Sequence, residues 1–310
     1  MGNTTTETQL LTTSSKWEHE NIMLYQARYW TIVPLTLSFY LVFVLLVYEY
    51  RCGKKARKFN SNHLVLFSAF TTVPHSLSQL LELWDGSFSC QAYRWTNAVA
   101  FAFGTASVYT TIWARQRKFY SDRLLATIVC KLVRVLSLVI IVSIYIAIGV
   151  LVFMLVYNYE FVKLPYGCIV KFEKDVYSSY VLPTAVSAIA VSFLFQTALL
   201  TLIIYPLSAK KNTVDRIFCC FVKPDQDIFK LFLRLALSTS ICLLSSVIAY
   251  TMLGLWAAGT VDLYWSGFAL MDHICNVAAT VLSFVNWKQR FFPFFCKAPG
   301  SGSNSAVESF

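Results

Sequence analysis

Seven long stretches of this chain are almost free of formal charge: 29–48, 59–81, 95–114, 135–159, 176–209, 235–261 and 263–287, with Asp272 the single exception. Each is long enough, at about 1.5 Å per helical residue, to cross a hydrocarbon core of about 30 Å. Lipid offers a backbone no hydrogen bonds, which leaves only helices or closed barrels as spanning structures. Barrel strands would be about ten residues of alternating polarity, and these runs do not alternate. The expected fold is all-α, a seven-transmembrane helix bundle. It divides into a polar amino-terminal tail over 1–28, the helical domain over 29–287 and a cytoplasmic tail over 288–310.

The net charge of +10 invites a nucleic-acid reading, but the distribution of the charge gives a different one. With the amino terminus outside, the inner loops and carboxyl tail hold 20 of the 26 Lys and Arg residues, and the outer segments hold six. This is the positive-inside bias of a membrane protein. The lipid bilayer is the expected partner, with attraction to anionic inner-leaflet lipid as a lesser effect, and nucleic acid is not expected. Two amino-terminal motifs compete. Met1-Gly2-Asn3-Thr4-Thr5-Thr6 fits a loose myristoylation pattern, which needs a cytosolic terminus. Asn3-Thr4-Thr5 is a glycosylation sequon, which needs a lumenal one. The charge bias favours the sequon, hence glycosylation at Asn3, with the amino terminus outside; the plasma membrane is the expected location.

The same topology sorts the nine cysteines. Cys52, Cys130, Cys219, Cys220 and Cys296 fall on the reducing cytoplasmic side, and Cys242 and Cys275 lie inside spans. Only Cys90 and Cys168 face the oxidising side, which makes them an expected disulfide. Cys219, Cys220 and Cys296 are juxtamembrane candidates for palmitoylation.

Polar residues are scarce inside the spans, so each one constrains the bundle. Asp272 lies about ten residues into the seventh window, followed by His273 and, one turn later, by Asn276. The i, i+4 spacing puts Asp272 and Asn276 on one face. An acid at that depth costs about 2.5–3.5 kcal/mol on insertion scales and belongs in the interior. It reads as a ligand counter-ion, an ion or proton site, a conformational switch, or a hydrogen-bonded structural acid. Its expected partners are His75 and Gln79 of the second span, Asn97 of the third and Gln196 of the fifth. At the inner end of the third span, Arg115-Gln116-Arg117 reads either as ordinary snorkelling basic residues or as a cytoplasmic face that meets a partner. The spans bring only His63, His75 and His273, without metal-ligand spacing, and the chain has no GxGxxG or P-loop pattern. An enzyme is not expected, nor a cofactor or metal.

Together these residues resemble the rhodopsin-like (class A) G-protein-coupled receptor superfamily over 29–297. That family joins a cysteine at the outer end of helix three to one in the second outer loop, matching Cys90 and Cys168. It places an arginine 25 positions after the first cysteine, which is Arg115 here. Asn276 resembles the asparagine of the family's NPxxY motif, Trp287–Phe295 its short amphipathic eighth helix, and Cys296 its palmitoylation site. Departures fall on switch positions: the family's Asp-Arg-Tyr reads Ala114-Arg115-Gln116, and Val277 and Thr280 replace the motif's proline and tyrosine. The resemblance implies a receptor with an extracellular ligand, signalling to cytoplasmic partners through a heterotrimeric G protein. It also implies that Arg115, Gln116 and Arg117 face the transducer. The competing readings are a transporter or channel component using Asp272 as an ion or proton site, and a non-signalling membrane scaffold.

Overall fold

Hydroxyl groups placed in apolar helices need a local acceptor, and in this chain they turn back onto their own backbone. Thr72 Oγ1 donates to the Ala69 carbonyl at 2.7 Å, Ser76 Oγ to Thr72 at 2.8 Å, Thr111 Oγ1 to Ser107 at 2.8 Å and Thr280 Oγ1 to Asn276 at 2.7 Å. Polar side chains can therefore sit within helices of an apolar bundle without leaving unsatisfied hydrogen.

The computed structural model describes residues 28–51, 61–84, 89–121, 131–157, 161–164, 167–170, 182–217, 226–257, 265–284 and 286–295. The long helices are α1 (Arg28–Arg51), α2 (Ser61–Trp84), α3 (Cys90–Ser121), α4 (Lys131–Tyr157), α5 (Leu182–Ile217), α6 (Gln226–Ala257) and α7 (Trp265–Leu282). Among the described residues, four of them, α1, α2, α4 and α6, are long and apolar enough to cross a membrane. Shorter apolar stretches run over Ile189–Tyr205 in α5 and Gly267–Leu282 in α7. Helix α3 buries the polar Ser107, Thr111, Arg115 and Gln116 alongside the apolar Val108 and Ile112.

The main core gathers on α7. Leu270, Ile274, Val277 and Val281 pack with Leu41 and Leu45 of α1, Val65 and Ala69 of α2, Val108 and Ile112 of α3, and Leu235 of α6. A second cluster joins Ile141 and Ile144 of α4 to Leu199 of α5. The other face of α4, with Leu132, Val135, Leu138, Val139, Val142, Ile146, Val150 and Phe153, is exposed. That apolar surface has the composition of a lipid-facing helix.

The long elements are all α-helices, as expected, and one short antiparallel ribbon is added to them: β1 (Phe161–Leu164) and β2 (Gly167–Val170), with Lys163 opposite Cys168. The β-branched and aromatic residues of Phe161-Val162 and Ile169-Val170 suit strands. Two expectations on element bounds need correction. The window 176–209 is displaced: α5 starts at Leu182 and continues to Ile217. The eighth helix is shorter than Trp287–Phe295. Helix α8 covers Trp287–Phe291, and a 3-10 turn follows over Pro293–Phe295. Pro293 lacks a backbone donor and biases Phe292 away from helical geometry, which ends α8 there.

Candidate functional site

Consecutive helix residues point about 100° apart, so Asp272 and His273 of α7 face different neighbours. Both are buried. Asp272 turns to α6. Ser246 Oγ donates to its Oδ1 at 3.0 Å and approaches Oδ2 at 3.3 Å, Ser245 also bonds to the carboxylate, and Asn276 Nδ2 donates to Oδ1 at 3.1 Å. Asn276 is thus brought to Asp272 as the spacing implies. The α2 and α3 partners expected for Asp272 are not its partners. Asn97 instead accepts from Ser78 Oγ at 2.6 Å. Gln196 Nε2 donates to Tyr109 OH at 2.7 Å, and Tyr109 lies within electrostatic reach of Asp272 and Tyr250. Gln79 is fully buried in α2.

The residue that meets α2 is His273. Its ring lies 6.2 Å from that of His75, centroid to centroid, and its Nε2 is 3.4 Å from Thr71 Oγ1. Thr71 Oγ1 directs its own hydrogen to the Ser68 carbonyl at 2.6 Å, so it accepts from His273 Nε2–H. That network assigns the proton to Nε2 and leaves a lone pair on Nδ1. Among the described residues, His273 Nδ1 and His75 Nδ1 have no hydrogen-bond partner. The ring is seated on α3 at Gly104, where a Cβ would overlap the imidazole and approach Thr71 Oγ1 to 2.8 Å. Glycine here allows the close approach of α3, α2 and α7.

A third contact closes the inner end. Helix α7 stops at Leu282, and the last carbonyls of a helix lack intrahelical donors. Arg115 supplies one: Nη2 donates to the Ser283 carbonyl at 2.8 Å and Nη1 to Ser283 Oγ. A guanidinium at a helix carboxyl end is also favoured by the helix dipole. Its carbon lies 4.0 Å from the centre of the Phe284 ring, and Arg290 of α8 lies 3.6 Å from the same centre. Arg290 in turn donates to Asn62 Oδ1 at 2.7 Å and to Asn286 Oδ1 at 3.0 Å, and Asn286 donates to Tyr48 OH. One knot thus ties α1, α2, α3, α7 and α8 together.

The three residues that the resemblance turns toward a transducer lie in different surroundings. Arg115 and Gln116 are buried, at 6% and 1% exposure. Gln116 Nε2 donates to Tyr120 OH at 2.6 Å, and Tyr120 OH donates to the Leu202 carbonyl of α5 at 2.7 Å. Arg117 alone is exposed, beside the Trp113 ring at 5.3 Å. Three successive helix positions cannot share one face.

Cys90 opens α3, and Cys168 lies on β2 opposite Lys163. Asn3, Cys219, Cys220 and Cys296 lie outside the described residues. No group of three or more His, Cys, Asp or Glu side chains suited to a metal occurs among the described residues. Sequence reasoning missed Ser246, Thr71, Gly104, Ser283, Phe284 and Arg290. Ser283 and Phe284 lie inside the last charge-free run, which gave them no mark. No family model matches the chain, and no curated protein matches it.

Proposed function

We propose that this chain is a seven-helix transmembrane receptor of the G-protein-coupled kind, resident in the plasma membrane with its amino terminus outside and its carboxyl terminus in the cytoplasm. It binds a ligand from outside and signals to a heterotrimeric G protein. The observation that carries the reading is the Arg115 clamp on the end of α7. A buried guanidinium held by one serine and one helix end, with no carboxylate in ion-pair contact among the described residues, is a closed latch. Releasing it exposes Arg115 beside Arg117 at the cytoplasmic mouth. Ala114 stands where a restraining acid would be, so α7 holds the arginine instead.

In this reading Cys90 pairs with Cys168 and pins the β1–β2 ribbon over the outer end of α3. Asn3 carries glycan, and Cys296, Cys219 and Cys220 are palmitoylation sites. The test is nucleotide exchange on a panel of G-protein families in cells expressing equal surface amounts of wild type, Ser283→Ala and Arg115→Ala. Ser283→Ala removes one of the two clamp bonds and raises basal exchange by several-fold, and Arg115→Ala abolishes it. If neither wild type nor Ser283→Ala exceeds untransfected cells on any family, the receptor reading fails.

A further inference from the structure

Two buried imidazoles lie side by side between α2 and α7, and each keeps a nitrogen without a partner. His75 is 3% exposed and His273 2% exposed, and among the described residues neither Nδ1 has a hydrogen-bond partner. On His273 the lone pair belongs to that nitrogen, because Nε2–H donates to Thr71 Oγ1, whose own hydrogen is committed to the Ser68 carbonyl. A ligating imidazole is ordinarily supported in this way, one ring N–H held by an oxygen while the other nitrogen stays open. The seat at Gly104 holds the His273 ring against α3. An unmet lone pair in an apolar bundle is costly, and here two occur together. The ring centres are 6.2 Å apart. Two metal–nitrogen bonds of about 2 Å, with about 1 Å from each nitrogen to its ring centre, span about 6 Å when collinear.

We propose that His75 Nδ1 and His273 Nδ1 bind a copper(I) ion between α2 and α7. The donor set selects the metal. Two neutral nitrogens are too few for zinc, which takes four ligands, and they offer no oxygen to calcium or magnesium. No group of three or more His, Cys, Asp or Glu side chains suited to a metal occurs among the described residues. Copper(I) has a filled d shell, accepts imidazole and takes two ligands in line, whereas copper(II) calls for a square of donors. The histidines alone hold the ion. Its single positive charge lies one residue from the buried Asp272, which compensates it without ligating. Binding of copper requires no transducer, so the proposal stands apart from the receptor reading.

The experiment uses the purified full chain in lipid nanodiscs, its accessible thiols capped with N-ethylmaleimide. Copper(I) is generated anaerobically with ascorbate and buffered by bicinchoninate. X-ray absorption at the copper edge reads the ligand atoms, and thermal unfolding reads the binding. The expected result is copper with two nitrogen neighbours and a midpoint raised by about 5 °C at ~100 times the dissociation constant. Both signals are lost in His75→Phe and in His273→Phe, which keep an aromatic ring but offer no nitrogen. Both are kept when Cys242→Ser and Cys275→Ser remove the two free thiols among the described residues. Sulfur neighbours on the wild-type metal overturn the proposal, because copper then sits on cysteine. An unchanged midpoint also overturns it, as does a shift with zinc(II) as large as that with copper(I); the former is the outcome if a water molecule donates to both nitrogens. Should the histidine variants not fold, the ligand atoms of copper in the wild type decide alone between nitrogen and sulfur.

Discussion

Gly104→Ala tests the packing at the centre of the bundle. The added Cβ would overlap the His273 imidazole and stand 2.8 Å from Thr71 Oγ1. The ring is 2% exposed, with His75 beside it, so it has no room to retreat and α3 must move away from α7. Overpacking of this kind costs about 1–3 kcal/mol. Stretching the Thr71–His273 and Ser68–Gly104 hydrogen bonds, each already 3.4 Å, adds about 1 kcal/mol. Against this, alanine in a helix interior gains about 1 kcal/mol over glycine. The net is a destabilisation of about 1–3 kcal/mol, or a fall of about 2–8 °C in unfolding midpoint for a chain of this size.

The assay is thermal unfolding of purified wild type, Gly104→Ala, His273→Ala and the double mutant in nanodiscs. Because His273→Ala removes the ring that the methyl strikes, the double mutant is as stable as His273→Ala or more so, and the two changes are strongly non-additive. If Gly104→Ala stabilises the wild type by its helix propensity alone, or if the two changes simply add, the contact between α3 and α7 is not as described and the argument fails.

Arg290→Met keeps the apolar stem but removes the bonds to Asn62 and Asn286; it destabilises by about 2–3 kcal/mol, as lost charged hydrogen bonds do, measured by the same unfolding assay. Pro293→Ala restores a backbone donor and lengthens α8 past Phe291, which appears as slowed amide exchange at Phe294 and Phe295; unchanged exchange refutes the account of its termination. An epitope tag at residue 1 stains intact cells and one at residue 310 stains only permeabilised cells, and the reverse pattern overturns the topology. Cys90→Ser and Cys168→Ser each lower stability by about 2–5 kcal/mol and together by no more than either alone; additive losses would show that the two are not paired.

The charge-free runs placed the long helices because the absence of formal charge is a one-dimensional property that a bilayer reads directly. Their ends were less legible. Helix α5 continues through Lys210, Lys211 and Arg216 to Ile217 because these residues favour helix even where charge ends the apolar run. Four-residue strands such as Phe161–Leu164 are too short for a period to show. At the site, the Asp272–Asn276 contact was legible because it is local to one helix. Which helix Asp272 faces was not, since periodicity defines a face but not the neighbour that covers it. The burial of Arg115 was hidden for another reason: an arginine at an inner boundary looks the same whether it reaches water or the open carbonyls of a neighbouring helix end.

Helix α7 links the two halves of this arrangement mechanically. From Phe268 to Leu282 it has neither glycine nor proline, so nothing in that stretch favours a bend. Asp272 and Ser283 are eleven residues apart, roughly 16 Å along the axis. A backbone carbonyl lies close to the Cα cylinder of about 2.3 Å radius, so a rotation of about 20° moves it by roughly 0.8 Å. A shift of that size along the 2.8 Å bond between Arg115 and the Ser283 carbonyl carries it past the usual hydrogen-bond range and weakens it. The His273 ring wedged on Gly104 resists the rotation from the opposite face. The Ser246 contact with Asp272 and the seat at Gly104 thus hold one rigid element from two faces, and the Arg115 clamp holds its inner end. Ser246→Ala, which loosens only the α6 side, therefore shifts the clamp in the same direction as Ser283→Ala although it lies far from it.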